Sequence, residues 1–191
     1  MSIVLGCLVA VAAVCWFLYW QNKGLSVSRY RIQDAKIPVG FHNMTILHLS
    51  DLHSTYFGKN QHTLIRKIKQ LNPNIIVFTG DIVDKRRYDS APAVSLVQQL
   101  TPLFQVYYVT GNHEWQSKKW REVEQLLLNE GVHVLNNTHT FLERKGDQIA
   151  LLGIHDQTSG VKVPENLAKV KEQIPSHLYQ LLLAHRPSKF P

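Results

Sequence analysis

Apolar residues fall along this chain in three kinds of run, and each kind predicts a different element. Ile3 to Trp20 is a stretch of 18 residues without a charge, about 27 Å long as a helix against a hydrocarbon core of about 30 Å. It predicts an N-terminal transmembrane anchor over residues 1–22, with Trp16, Tyr19 and Trp20 as an interfacial aromatic belt. A cleaved leader is the competing reading, but no Lys or Arg precedes the run and no small-x-small site follows it. Residues 23–44 read as a juxtamembrane segment, where weak alternation of Val27, Tyr30 and Ile32 predicts an edge strand within 25–38.

The second kind is short and ends in polar chemistry. Thr45 to Leu49 runs into Ser50-Asp51-Leu52-His53, Ile75 to Phe78 into Gly80-Asp81, Val106 to Val109 into Thr110-Gly111-Asn112-His113-Glu114, and Leu181 to Ala184 into His185. The unbroken run Ile75 to Phe78, bounded by Pro73 and Gly80, predicts a strand buried on both faces, and the others read as strands that end the same way. In open α/β sheets, sites collect beyond the carboxyl ends of such strands.

The third kind has helical spacing: Leu64, Ile65, Ile68 and Leu71; then Ala93, Val94, Val97 and Leu100 behind Ser90 as N-cap; then Trp120, Val123, Leu126 and Leu127, capped by Ser117 and closed by Gly131. A last helix opens at Pro164-Glu165 and carries Leu167, Val170 and Ile174. Between them, 132–135, 138–143 and 148–154 read as strands, with Asn136-Asn137 and Lys145-Gly146-Asp147 as hairpin turns.

Composition changes this picture little. The 191 residues, 45% apolar and 18% charged, suit one globular domain. A net charge of +7 points to an anionic partner such as phosphate or lipid headgroups. The basic residues are scattered without interleaved aromatics, which counts against nucleic acid. Lys23, Arg29, Arg31 and Lys36 follow the apolar helix and, by the positive-inside rule, put the body in the cytoplasm. Cys7 and Cys15 both lie in the apolar run and supply neither a disulfide framework nor a thiolate zinc site.

The strand ends hold the chemistry. Asp51, His53, Asp81, Asn112 and His185 offer carboxylate, imidazole and amide oxygen, a donor set suited to Mn²⁺, Fe²⁺ or Zn²⁺. One Asp bridging two ions would let them clamp the attacking and leaving oxygens of a phosphoester. Each piece alone is ordinary turn chemistry; four of them in order, each at a strand end, is not.

Asp51-Leu52-His53, Gly80-Asp81-Ile82-Val83-Asp84 and Gly111-Asn112-His113-Glu114 resemble, in spacing and order, the signature blocks of the calcineurin-like metallophosphoesterase superfamily, over residues 45–191. The resemblance implies an α/β fold of two packed mixed β-sheets flanked by helices, and two divalent metal ions. Asp51 and His53 would hold the first ion, Asp81 would bridge, and Asn112 and His185 would hold the second. A metal-bound hydroxide would attack. His113 would act as general acid, oriented and charge-stabilised by Asp84, whose plainer role is a salt bridge to Lys85 or Arg86.

The match has departures. Family members carry a later Gly-His-x-His block, absent from these 191 residues, which leaves each ion one ligand short and the second sheet incomplete. Lys85 stands where one branch has a phosphate-clamping Arg. The N-terminal helix, the Ser-Asp-Leu-His wording and Ala184-His185-Arg186-Pro187 resemble a membrane-associated bacterial branch of phosphodiesterases, related to UDP-diacylglucosamine hydrolases. That implies an anchored phosphodiesterase acting on a lipid-linked phosphoester. The alternatives are a catalytically impaired remnant and an anchored basic module that binds anionic lipid or nucleic acid. His42, His48, His62, His133, His139 and His177 read as surface or packing residues, and His155-Asp156 as a turn.

Overall fold

The computed structural model describes residues 2–160 and 162–186; for residues 2–3 and 19–23 it describes the backbone alone. The chain forms two compact units, Met1–Ile32 and Gln33–Pro191.

The first unit holds helix α1, Ser2–Lys23, whose described side chains, Val4 to Leu18, are all exposed. Among the described residues no helix is long and apolar enough to cross a membrane, so the expected span is not supported. Trp16 of the expected aromatic belt is exposed; the side chains of Tyr19 and Trp20 lie outside the described residues. The edge strand expected within 25–38 is absent too: this stretch has no strand, and Tyr30 and Ile32 are exposed. Alternation without a partner strand to accept its hydrogen bonds is not enough.

The second unit is built from two sheets. Strands β1 (Ile46–Leu49), β2 (Ile75–Phe78), β3 (Gln105–Tyr108) and β4 (His133–Val134) form one sheet in chain order. All its pairings are parallel, so only the other sheet is mixed. There β5 (Thr138–Arg144) and β6 (Asp147–Gly153) form a hairpin, and β7 (Gln180–Leu183) adds parallel to β6. The hairpin turn is the expected one, with Lys145 at φ 52° and Gly146 at φ 85°, the pair of positive φ values that suits strand twist. Asn136-Asn137 is not a hairpin turn. β4 and β5 belong to different sheets, and the two amides tie the crossing down: Asn136 Oδ1 accepts from Thr110 N at 3.0 Å, and Asn137 Oδ1 from His155 N at 3.0 Å.

Helices α2 (His62–Leu71), α3 (Ala91–Leu100) and α5 (Trp120–Asn129) connect the parallel strands, since parallel neighbours need a long crossover between them. A short helix, α4 (Asn112–Gln116), follows β3 directly. Ser90 does precede α3, but without a side-chain capping bond. Ser117 caps nothing in α5, which starts after Lys119; its hydroxyl donates to the Glu114 carbonyl at the end of α4. Helix α6, Val163–Glu172, packs Val170 with Ala150 and Leu152 on the outer face of the second sheet.

Between the sheets lies a core of Ile75, Val77, Tyr107 and Val109 against Leu142, Ile149, Leu151 and Leu183. Ile76 and Phe78, one step out of phase, face the other way and are as buried. A strand apolar on both faces is what a layer between a sheet and helices demands. Each such side chain contributes about 1.5–3 kcal/mol on burial.

Candidate metal centre

The parallel register aligns Leu49 with Phe78 and Phe78 with Tyr108, so three chains leave the sheet at one edge. The first two stay paired beyond it: Asp51 N donates to Gly80 O, His53 N to Asp81 O and Ser54 N to Ile82 O, at 2.9–3.2 Å. The bends are sharp. Asp51 (φ 58°), His53 (φ 47°), Ser54 (φ 54°) and Asp81 (φ 53°) all occupy the left-handed region, at about 1–3 kcal/mol each for residues with a Cβ. Strain concentrated on three of the expected ligands is typical of a functional loop.

The two glycines explain themselves by contact. A Cβ on Gly80, itself at φ 91°, would stand 2.3 Å from Gly111 N, and one on Gly111 would stand 2.2 Å from Asp81 Oδ1. The loops after β2 and β3 therefore touch backbone to backbone, and this places Asn112 and His113 over Asp81.

Glu114 holds that contact. It is fully buried, and its Oε2 accepts from Gly111 N (2.7 Å) and Asp81 N (2.9 Å) while Oε1 accepts from Val83 N (3.1 Å). Burial pushes its pKa up; the three N–H donors pull against this without cancelling it. One acid thus ties both loops together.

The donor atoms converge on Asp81. Its Oδ2 lies 3.4 Å from His185 Nε2 and 3.9 Å from both His53 Nε2 and His113 Nε2. His53 Nε2 is also 3.4 Å from Asp51 Oδ1, and His185 Nε2 is 3.1 Å from Asn112 Oδ1. Every site residue expected from the sequence, Asp84 excepted, is therefore at this centre. Asp84 stands one step back, 3.6 Å from His113 Nδ1.

These side chains fit a cation. Among the described residues, two groups of three have donor atoms within 4.8 Å of one another, His53 with Asp81 and His113, and Asp51 with Asp81 and His185. The grouping differs from the expected one, which paired Asp51 with His53 and left His113 out of the donor set. His185 Nδ1 sits 2.6 Å from the Thr79 carbonyl, an acceptor only, so Nδ1 carries the proton and Nε2 faces the carboxylates, the arrangement usual for a metal-bound imidazole. Burial alone would lower the His185 pKa, but hydrogen bonding and charge from Asp81 outweigh it and push the pKa up to about 9. Without a metal, a proton supplies the positive charge. The same contacts keep Asp81 below the usual carboxylate range despite its burial.

The calcineurin-like phosphoesterase model matches residues 44–190. This chain belongs to that family. Among its relatives, the uncharacterized metallophosphoesterase YkoQ of Bacillus subtilis is 27% identical over 187 residues, 94% of this chain and 68% of that protein. A transmembrane protein with metallophosphoesterase domain from Danio rerio is 27% identical over 161 residues, 80% of this chain but 37% of its own length. This chain thus spans about two thirds of the first relative and little more than a third of the second. In fold, the Haemophilus influenzae NAD nucleotidase superposes with a TM-score of 0.54 at 17% identity, over 76% of this chain and 35% of that one. The family and the names of these relatives indicate a phosphoric ester hydrolase domain.

In this metallophosphoesterase domain, two features differ from expectation. Burial lowers the His113 pKa, and the opposing charges of Asp81 and Asp84 do not restore it, whereas the neighbouring carboxylate alone suggests a more easily protonated ring. His113 Nδ1 also accepts from Lys85 N at 3.2 Å, which favours the neutral ring. Asp84 makes no side-chain ion pair with Lys85 or Arg86 among the described residues. Its Oδ1 accepts from Arg86 N and Arg87 N, both at 2.8 Å, and these bonds lower its pKa.

Two supports escaped the sequence reading. Glu114 stands at the third position of α4 behind Gly111, the acid half of a capping box, and that spacing was a usable signal. Asp156 is buried and pairs with Arg186 through Nε at 2.7 Å and through Nη2, fixing the chain next to His185. It also caps a short 3₁₀ turn, accepting from Thr158 N at 2.8 Å, so His155-Asp156 is a turn with a structural duty. His155 Nδ1 reaches Thr110 Oγ1 at 3.0 Å and its ring packs edge-on against Trp115 and Trp120. Nothing available in the sequence paired positions 30 residues apart.

Proposed function

We propose that this chain is a metal-dependent phosphodiesterase whose centre takes two divalent cations, Mn²⁺, Fe²⁺ or Zn²⁺, with Asp81 shared between them. The observation that carries the proposal is the position of Asp81 Oδ2, common to both groups of donor atoms. When bound, the cations supply Lewis acidity toward the phosphoryl oxygens and a more acidic water. Asp51 and His53, 3.4 Å apart, would hold one side, and Asn112 and His185, 3.1 Å apart, the other, pairings that cut across the two donor groups and share Asp81 with both. His113 directs Nε2 toward the centre and gives its proton to the leaving-group oxygen. That step needs the imidazolium, against the neutral form that burial and Lys85 N favour in the free site, and the Asp84 carboxylate, its Oδ2 3.6 Å from Nδ1, is the group that stabilises it.

Membrane association belongs to the same proposal. The apolar side chains of α1 from Val4 to Leu18 are exposed, with no core of their own to enter, and a lipid surface would cover them. A relative bearing a transmembrane name supports this, and a lipid-linked phosphoester is the substrate class that suits it. The test has two arms. Bis-p-nitrophenyl phosphate should be hydrolysed with Mn²⁺, and Asp81→Asn should abolish turnover; activity that persists in EDTA or survives the substitution refutes the metal centre. The full chain should float with anionic liposomes and a chain starting at residue 33 should not; equal recovery refutes the membrane arm.

A further inference from the structure

The segment after β2 carries three consecutive cations, Lys85, Arg86 and Arg87, all exposed, at the rim of the centre. Surface cations of this kind are usually matched by acids nearby. Here the acids within reach are committed elsewhere. Asp84 spends Oδ1 on the main-chain N–H groups of Arg86 and Arg87. Asp89 Oδ1 accepts from Ala91 N at 2.9 Å. Glu122 is taken by Lys119 at 2.8 Å and by the Tyr88 hydroxyl at 2.9 Å. Among the described residues Lys85 Nζ reaches the neutral Gln116 Oε1, at 2.6 Å, and no carboxylate. Among the described residues neither guanidinium has a carboxylate partner.

The loop bearing these charges is nevertheless held in place. Asp84 fixes it from one side, Ser54 Oγ accepts from Asp84 N at 2.9 Å and donates to the Asp89 carbonyl at 2.7 Å, and Lys85 N touches His113 Nδ1. Three exposed cations without a carboxylate partner among the described residues, on a pinned loop whose Lys85 N hydrogen-bonds His113 Nδ1, outnumber the two flanking acids Asp84 and Asp89 and leave that rim net positive. Arginine's planar fork is suited to phosphate and carboxylate oxygens.

We propose that Arg86 and Arg87, with Lys85, bind a second anionic group of the substrate, a phosphate or carboxylate distinct from the phosphoester that is cleaved. The preferred substrate is then a polyanionic phosphoester. This rests on the phosphoesterase reading above and narrows its substrate class.

The probes are thymidine 5′-phosphate and thymidine 3′,5′-diphosphate, which differ by one phosphate. Their affinities for the Mn²⁺-loaded chain are measured by calorimetry, for the parent and for Arg86→Ser/Arg87→Ser. The parent should prefer the diphosphate by about tenfold, and the double variant should bring the ratio close to one. Equal affinities in the parent, a preference that survives the substitution, or binding of neither nucleotide overturns the proposal. Turnover of the p-nitrophenyl 5′-esters of the same pair separates the two readings. A lost preference with intact metal-dependent hydrolysis of the simpler ester sinks only the rim. A kept preference with no hydrolysis of either ester sinks only the phosphodiesterase.

Discussion

Replacing Glu114 by Gln is the sharpest perturbation the centre offers, because it changes one charge and almost no volume. The carboxylate receives three main-chain donors, two on Oε2 and one on Oε1. A carboxamide oriented to keep Asp81 N and Gly111 N on its oxygen must turn its NH₂ toward Val83 N, setting donor against donor. A buried donor left without an acceptor costs about 1–3 kcal/mol. The two surviving bonds also lose their charge assistance, which makes such bonds roughly twice as strong as neutral ones. Together these give a loss of about 2–4 kcal/mol, out of a total stability of about 5–15 kcal/mol for a folded domain.

Urea unfolding of the full chain in EDTA, followed by far-UV circular dichroism, reads that loss as a lower midpoint at an unchanged slope. Because the acid joins the loops after β2 and β3, the folded variant should also bind Mn²⁺ at least tenfold more weakly, by calorimetry. A midpoint equivalent to less than about 0.5 kcal/mol of change, the ordinary range for a neutral surface substitution, would mean that Glu114 is already protonated or that the loops hold without it. Either outcome refutes the argument from its three donors.

Gly111→Ala should fold but bind Mn²⁺ poorly, since its Cβ would lie 2.2 Å from Asp81 Oδ1; parent-like affinity would show that the loops separate freely. Because the metal-free His185 pKa is raised to about 9 from 6.5, its contribution to stability is full below pH 6.5 and lost as pH rises through about 9. Urea midpoints in EDTA should therefore fall between pH 7 and pH 9.5, and a flat profile counts against the Asp81–His185 contact. The same protonation means that Mn²⁺ binding at pH 7 should release protons, seen as an enthalpy that varies with buffer ionisation heat. Asp156 is depressed: burial raises its pKa, and Arg186 with Thr158 more than reverses that. Its contribution is present above the usual carboxylate pKa of about 3.9 and lost below it, so Asp156→Asn should remove part of the acid sensitivity between pH 5 and pH 2 in urea titrations.

What the sequence made legible was whatever depends on local pattern. β1, β2 and β3 are short runs that end in a polar turn, and β2, apolar throughout, is buried at every position, whereas β1, interrupted by His48, is only half-buried. The ligands sit at those ends, so Asp51, His53, Asp81, Asn112 and His185 were identifiable as a set before any distance was known. Asn136-Asn137 failed because two amides between two apolar runs look the same whether the next strand folds back or crosses to another sheet. Only the packing of Leu135 into the space between the sheets decides it. The N-terminal run shows another limit: apolar length names a candidate span, and the described helix does not meet it.

The least legible element is the support of the site, and there is a physical reason. A ligand must be a particular residue type at a strand end, whereas a support must only present an acceptor or a charge at the right point in space. Glu114 satisfies three donors that belong to two loops, and Asp156 meets Arg186 across 30 positions of chain. The left-handed conformations of Asp51, His53 and Asp81 are costly on their own; Asp51 N and His53 N are held by the Gly80 and Asp81 carbonyls, and Asp81 N by the distant Glu114. The geometry of the centre is therefore a tertiary property carried by residues outside the donor set. Substitutions at Glu114 or Asp156 should act on metal affinity and stability together, while Asp81→Asn acts on affinity with the smaller effect on stability.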